Sequence, residues 1–288
     1  MLTHLKLDGF TAIPYLATSA LMANHLDGLL FSTDKPNIVV GPNGAGKSAL
    51  MTTLAYLTLS YIAGYSSLDG GYLGTHDRQF KLWREVPDGD SRWRTVQAYL
   101  GGLVTDYDGG RALYFKSGHI PGNESFIAAA IMQGYGEDAR AYAALTDDKS
   151  SGQQNQAVQA RILDVLAGSA AVPDLGFHNW HAPRTLEELA YQEERARGTR
   201  FGCSYEKEGK LLRQYLGATG GTMVLMDEPE QSLDALAEAR LWQSIAATVP
   251  GVQVIVATHS VYPMLHPERF NIIEAVPGYV EQVKQYLA

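Results

Sequence analysis

The chain has 288 residues, 45% of them hydrophobic, and 23 Lys and Arg against 31 Asp and Glu give a formal net charge of −8. That length and apolar content suffice for one large or two small buried cores, while the negative balance argues against broad attraction to nucleic acid and still permits a local basic face. The single cysteine, Cys203, excludes an intrachain disulfide, no Arg/Lys-led apolar leader opens the chain, and no apolar run reaches the roughly 20 residues of a membrane span, so a cytoplasmic protein with no membrane partner is expected.

Leu2 to Phe10 alternates as a first strand, and residues 11 to 40 run through a short helix or loop into an apolar strand at Ile38-Val39-Val40. Directly behind it stands Gly41-Pro42-Asn43-Gly44-Ala45-Gly46-Lys47-Ser48, a complete G-x-x-x-x-G-K-S phosphate loop. The glycines permit backbone angles closed to other residues while several N–H groups converge on a β-phosphate. Lys47 supplies a charge to the β- and γ-phosphates and Ser48 a hydroxyl ligand for Mg²⁺. Ala49 to Leu57 reads as a buried apolar helix, which sets the triphosphate at a helix N-terminus.

Residues 70 to 116 place Gly-rich turns between short aromatic and β-branched runs, the pattern of an antiparallel subdomain. Here Arg78, Lys81, Arg84, Arg92 and Arg94 interleave with Phe80, Trp83 and Trp93, and Arg184, Arg195, Arg197 and Arg200 follow later. The favoured reading is a hairpin turning at Pro87-Asp88-Gly89-Asp90 and a surface helix whose Glu187, Glu188, Glu193 and Glu194 balance its arginines, with a DNA-contacting face as the alternative. Residues 122 to 217 read mainly as helices, one from about Gln154 to Leu166 and another over Gly209 to Leu216, with breaks near Pro173 and Pro183. No heptads persist through them, which excludes a long coiled coil. His178 and His181 have no third ligand beside them, so no metal site is expected there.

Thr222 to Met226 is a buried-strand run that ends in Asp227-Glu228-Pro229-Glu230. Adjacent carboxylates at a strand end suit a Mg²⁺-nucleotide, with Asp227 holding the metal and Glu228 polarising the attacking water. Ser232-Leu233-Asp234 and a helix-like stretch follow, and a third apolar strand from Val252 to Ala257 ends in Thr258-His259-Ser260.

In series these motifs resemble the ATP-binding-cassette (ABC) class of ATPases, and within it the soluble branch that includes the SMC, RecF and OLD proteins and many proteins called AAA family ATPases. The resemblance covers about residues 1 to 65 and 200 to 275. It implies that Gly41 to Ser48, with Ala49 behind it, is Walker A, that Met223 to Asp227 is Walker B, and that Glu228 is the catalytic glutamate. Asp234 would end the D-loop, and His259 would sense the γ-phosphate. The implied fold is an α/β P-loop NTPase of ATP-binding-cassette type, a mixed sheet core with a small antiparallel β subdomain and a helical lobe. The implied organisation is one discontinuous domain, with residues 1–69 and 218–288 as nucleotide-binding core, 70–121 as the β subdomain and 122–217 as the lobe.

Members of that class bind ATP and Mg²⁺ and close as dimers, each subunit's signature serine reaching the γ-phosphate held by the other. No Leu-Ser-Gly-Gly-Gln is present. Position favours Ser204, 23 residues before Asp227 with a helical stretch between, and composition favours Lys149-Ser150-Ser151-Gly152-Gln153-Gln154. The need for a helix to feed Walker B directly tips the choice to Ser204, the other segment requiring residues 172 to 203 to be an insertion. The Mg²⁺-contacting glutamine of the class also lacks an evident counterpart. The strand Ala112 to Phe115 runs into Lys116-Ser117-Gly118-His119, and Gln79 and Gln97 lie in neighbouring runs. The expected activity is ATP hydrolysis by a homodimer, in DNA maintenance or phage defence with a separate nuclease or effector. The alternative is a slow, nucleotide-sensing subunit that controls a protein partner without touching DNA.

Overall fold

The computed structural model describes residues 1–11, 13–58, 61–62, 101–117, 150–170, 172, 186–196 and 220–287. Strands β1 (Leu2–Leu7) and β2 (Leu29–Leu30) are joined by β5 (Leu103–Tyr107) in an antiparallel sheet of order β2-β1-β5. Strands β3 (Asn37–Val40), β4 (Tyr61–Ile62), β6 (Ala112–Lys116), β7 (Thr222–Asp227), β8 (Val252–Thr258) and β9 (Asn271–Glu274) form a second sheet, order β4-β6-β7-β8-β3-β9. Every neighbouring pair in it is parallel.

Sequence pattern accounts for the division. The central strands β3, β6, β7 and β8 are continuous apolar runs buried along nearly their whole length, as a sheet covered on both faces requires, whereas β5 alternates between half-buried and exposed positions, as a one-sided antiparallel strand does.

This corrects the expected partition in two respects. Ala112–Lys116, assigned above to the antiparallel subdomain, is a strand of the main sheet beside β7, and β5 pairs with the distant β1, across the expected boundary at residue 69. Among the described strands the main sheet is parallel throughout, not mixed.

Helix α1 (Pro14–Ala17), α2 (Ala20–Ala23) and α3 (Lys47–Leu57) lie in the first part of the chain. They are followed by α4 (Ser151–Leu166), α5 (Leu186–Ala196), α6 (Ala235–Ala246), α7 (Tyr262–Leu265) and α8 (Tyr279–Leu287). Helix α3 packs on β7 and β8, and its Leu50, Met51 and Leu54 are fully buried with Ile38, Val224 and Ile255. Trp242 of α6 is buried against Tyr262, ring centroids 6.5 Å apart, and edge-on to Phe270 at 6.0 Å.

Two buried amides fasten the sheets. Gln253 of β8 accepts the Leu2 N–H at 2.7 Å and donates to the Leu2 and Ser32 carbonyls at 2.7 and 2.9 Å, locking β1 onto the main sheet. Asn37 donates to the Ser32 and Val254 carbonyls at 2.9 and 3.1 Å and accepts from Ser32 N and Asn271 Nδ2 at 2.6 and 2.8 Å. Both groups are thereby satisfied, the condition for burying an amide without penalty.

Among the described residues no helix is long and apolar enough to cross a membrane. Ser204, Gln79, Gln97, His178, His181, the turn at 87–90, the stretch 209–216 and every residue of the two basic clusters except Arg195 lie outside the described residues.

Candidate nucleotide site

The parallel register brings the carboxyl ends of β3, β7 and β8 level, Val40 beside Thr258 and Asp227 beside Ala257. The loops leaving these strands, at Gly41, Glu228 and His259, therefore emerge together, at the edge where open α/β sheets bind ligands. A cleft of about 130 Å³ opens there, lined by Tyr15, Asn43 to Ala49, Glu228 and His259.

The loop of residues 41–48 is clamped from behind. Gly46 adopts φ +102, and a Cβ there would lie 2.5 Å from the Cβ and Oγ of Ser19; a Cβ on Gly41 would lie 2.7 Å from that of Ala275. Neither position accepts a side chain. The α1–α2 segment braces the same loop, Leu21 N donating to the Ala45 carbonyl at 3.0 Å and the Tyr15 hydroxyl to the Gly44 carbonyl.

Lys47 is 5% exposed, and its Nζ donates to the Gly41 and Pro42 carbonyls at 2.9 and 3.1 Å. Burial pulls its pKa down, opposed by Glu228, Asp227 and Glu230. Ser48 Oγ donates to Asp227 Oδ1 at 3.0 Å, and Asp227 Oδ2 pairs with Lys116 Nζ at 3.1 Å.

Glu228 takes φ +51, a left-handed conformation uncommon for a residue with a side chain, while its N–H still pairs with the Ala257 carbonyl at 2.8 Å. Such strain at the end of a core strand persists only where the surroundings hold it, and it turns the carboxylate into the cleft. His259 Nε2 lies 3.7 Å from Glu228 Oε1. Burial lowers the His259 pKa, Lys47 adds to this, and Glu228 and Asp227 oppose it.

Glu230 faces inward. Its Oε1 accepts from Thr258 Oγ1 at 2.6 Å and from the His259 N–H at 2.9 Å, its Oε2 is buried with no hydrogen-bond partner among the described residues, and burial raises its pKa. Asp234 caps α6, its carboxylate accepting from Leu236 N and Ala237 N at 2.9 Å each.

Of the two signature candidates, the described one is Ser150. It caps α4 in a reciprocal capping box with Gln153, and the helix begins at Ser151, three residues earlier than the sequence suggests. Gln159 in the body of α4 is buried and donates to the Pro229 carbonyl, while Val249 N donates to the Leu166 carbonyl at 3.0 Å. The helix is thus fixed to the Asp-Glu-Pro-Glu turn despite its distance in sequence.

Lys47, Ser48, Asp227, Glu228 and His259 converge as the motifs suggest. Four contributors lay beyond sequence reasoning: Tyr15, 52% exposed on the cleft wall, Lys116, Glu230 as anchor of the His259 backbone, and Gln159. For Lys116 the signal was its place at a strand end, and for Glu230 its place in the acidic turn; for Tyr15 and Gln159 no local pattern marked the residue.

No protein-family model matches this chain, and no curated protein matches it.

Proposed function

We propose that the protein is an ATP-binding-cassette-class ATPase that binds Mg²⁺-ATP in this cleft, closes as a homodimer and opens on hydrolysis. The observation that carries this reading is the meeting of a buried lysine and the Ser48–Asp227 pair with a strained Glu228 and His259 at one sheet edge. The donor set suits Mg²⁺, a hard cation held by one or two protein oxygens together with substrate phosphates. Ser48 and Asp227 would hold it, and it would neutralise and template the β- and γ-oxygens.

Lys47 is the cation for the phosphates, exchanging its two loop carbonyls for them. Glu228 orients a water and takes its proton as the water attacks the γ-phosphorus, the bond to the leaving β-oxygen breaking in line. His259, held neutral, offers a ring N–H to the charge that develops on the γ-oxygens. Tyr15, whose hydroxyl holds the Gly44 carbonyl, would add an aromatic ring to the wall of the nucleotide cleft. Ser204, the signature residue that position favours, lies outside the described residues; Ser150, at the N-terminus of an α4 docked on the 227–230 turn through Gln159, is the candidate we take forward in its place. Leu236, just past Asp234, and Val261, just past His259, are exposed apolar side chains suited to a dimer face beside those loops.

A second reading, a slow nucleotide-sensing subunit that controls a protein partner, is favoured by Lys116 standing where the class has its glutamine. Phosphate release with and without duplex DNA separates the two. Stimulation supports the DNA-maintenance or defence role, and indifference supports the sensor. Isothermal titration of AMP-PNP tests both, since Lys47→Ala must abolish binding; wild-type affinity in that variant removes the site.

A further inference from the structure

Strand β6 ends on Lys116, and the register sets it directly beside Asp227 on β7. Paired residues of adjacent parallel strands lie on the same sheet face, roughly 5 Å apart, so the ammonium stands over the carboxylate by construction of the sheet. The contact is close, 3.1 Å from Nζ to Oδ2, with an Asp227 side chain only 2% exposed and a Lys116 side chain 31% exposed. Ser117 N donates to the Asp227 carbonyl at 3.1 Å, which holds the two strand ends in step. Asp227 is therefore divided: Oδ1 faces Ser48 and the cleft, and Oδ2 faces Lys116.

A buried carboxylate with no counter-charge is strongly disfavoured, and in a nucleotide site the metal ordinarily meets that need. We propose that Lys116 is a built-in counter-ion for Asp227, so that the protein binds nucleotide with an unusually weak requirement for Mg²⁺. This rests on the ATPase reading above and deepens it. Without metal, a triphosphate entering the cleft meets the charge of Glu228 on the wall and that of Asp227 behind Ser48; the Lys116 ammonium cancels the second of these and leaves Oδ1 and Ser48 in place. With metal present, the same ammonium weakens the hold of Asp227 on Mg²⁺. Both effects push in one direction, towards a small ratio between affinities with and without metal.

Lys116 is on this account a positioning residue, and its signature is a metal dependence rather than a rate. The probe is AMP-PNP, titrated calorimetrically in Mg²⁺ and in EDTA against wild type, Lys116→Met and Lys116→Arg. The affinity ratio between the two conditions is expected to widen about tenfold in Lys116→Met, the scale of one partly buried charge pair, and to stay near wild type in Lys116→Arg. An unchanged ratio in Lys116→Met overturns the inference while leaving the site intact. Absence of binding by wild type in both conditions overturns the ATPase reading itself, and this inference with it. Thermal denaturation of the nucleotide-free protein gives a second measure that needs no ligand. Lys116→Met lowers Tm and the added Asp227→Asn recovers most of the loss, because the second change removes the unpaired charge; a double variant no more stable than the single one contradicts the counter-ion role.

Discussion

The backbone N–H of His259 donates to Glu230 Oε1 at 2.9 Å, and Thr258 Oγ1 donates to the same oxygen at 2.6 Å. The last acid of the Asp-Glu-Pro-Glu turn thus fixes where the chain leaves β8, and with it the position of the imidazole 3.7 Å from Glu228. Two loops of the site are joined through a buried carboxyl that touches the cleft only indirectly.

Burial raises the Glu230 pKa above its ordinary 4.5. Between 4.5 and the raised value the folded state binds a proton that the unfolded state has released, so stability falls as pH rises through that window and stays lowered above it. Glu230→Gln keeps an oxygen to accept both hydrogen bonds and carries no charge. Its Tm relative to wild type is expected to be higher at pH 8, with the advantage shrinking towards pH 4.5. A variant equally less stable at both ends makes the hydrogen bonds, not the charge, the dominant feature.

For His259 the sign is the reverse. Its folded pKa lies below 6.5, so as pH falls below 6.5 the unfolded state gains a proton before the folded state does, and stability declines with acidification. Ring resonances followed by NMR should titrate below the ordinary histidine midpoint. They should shift upward in Lys47→Met, which removes a neighbouring positive charge. A midpoint above 6.5 would place an imidazolium, not a neutral ring, beside Glu228.

Ser150→Arg puts bulk and charge at the α4 N-cap, where a partner's γ-phosphate is expected to dock. It should impair ATP-driven dimerisation and turnover together while monomer binding of AMP-PNP stays near wild type. Ser150→Ala separates the capping loss, about 1 kcal/mol of stability. If Ser204→Arg produces the dimerisation defect and Ser150→Arg does not, the signature belongs to Ser204.

The parts of the site legible in the sequence are those written contiguously. Gly41 to Ser48 follows its strand and opens its helix, and Asp227, Glu228 and His259 end apolar strands, so order along the chain was enough to bring them together. Lys116 is a different case, because its partner depends on which strand lies beside β6, and the apolar run Ala112 to Phe115 does not say so. The unbroken apolar character of that run, set against the Thr105 and Asp106 inside Leu103 to Tyr107, was the available sign that the two strands belong to different sheets. Gln159 had no such sign, since its role follows from where α4 docks.

The central claim is that Glu228 is the base of an ATP-hydrolysing site, and phosphate release by Glu228→Gln at saturating Mg²⁺-ATP tests it most directly, alongside light scattering of the same sample. Turnover should fall by at least ~10²-fold, the usual scale for a lost general base, with AMP-PNP affinity preserved and a dimer accumulating in ATP. Turnover equal to wild type in a variant that binds nucleotide would contradict the account.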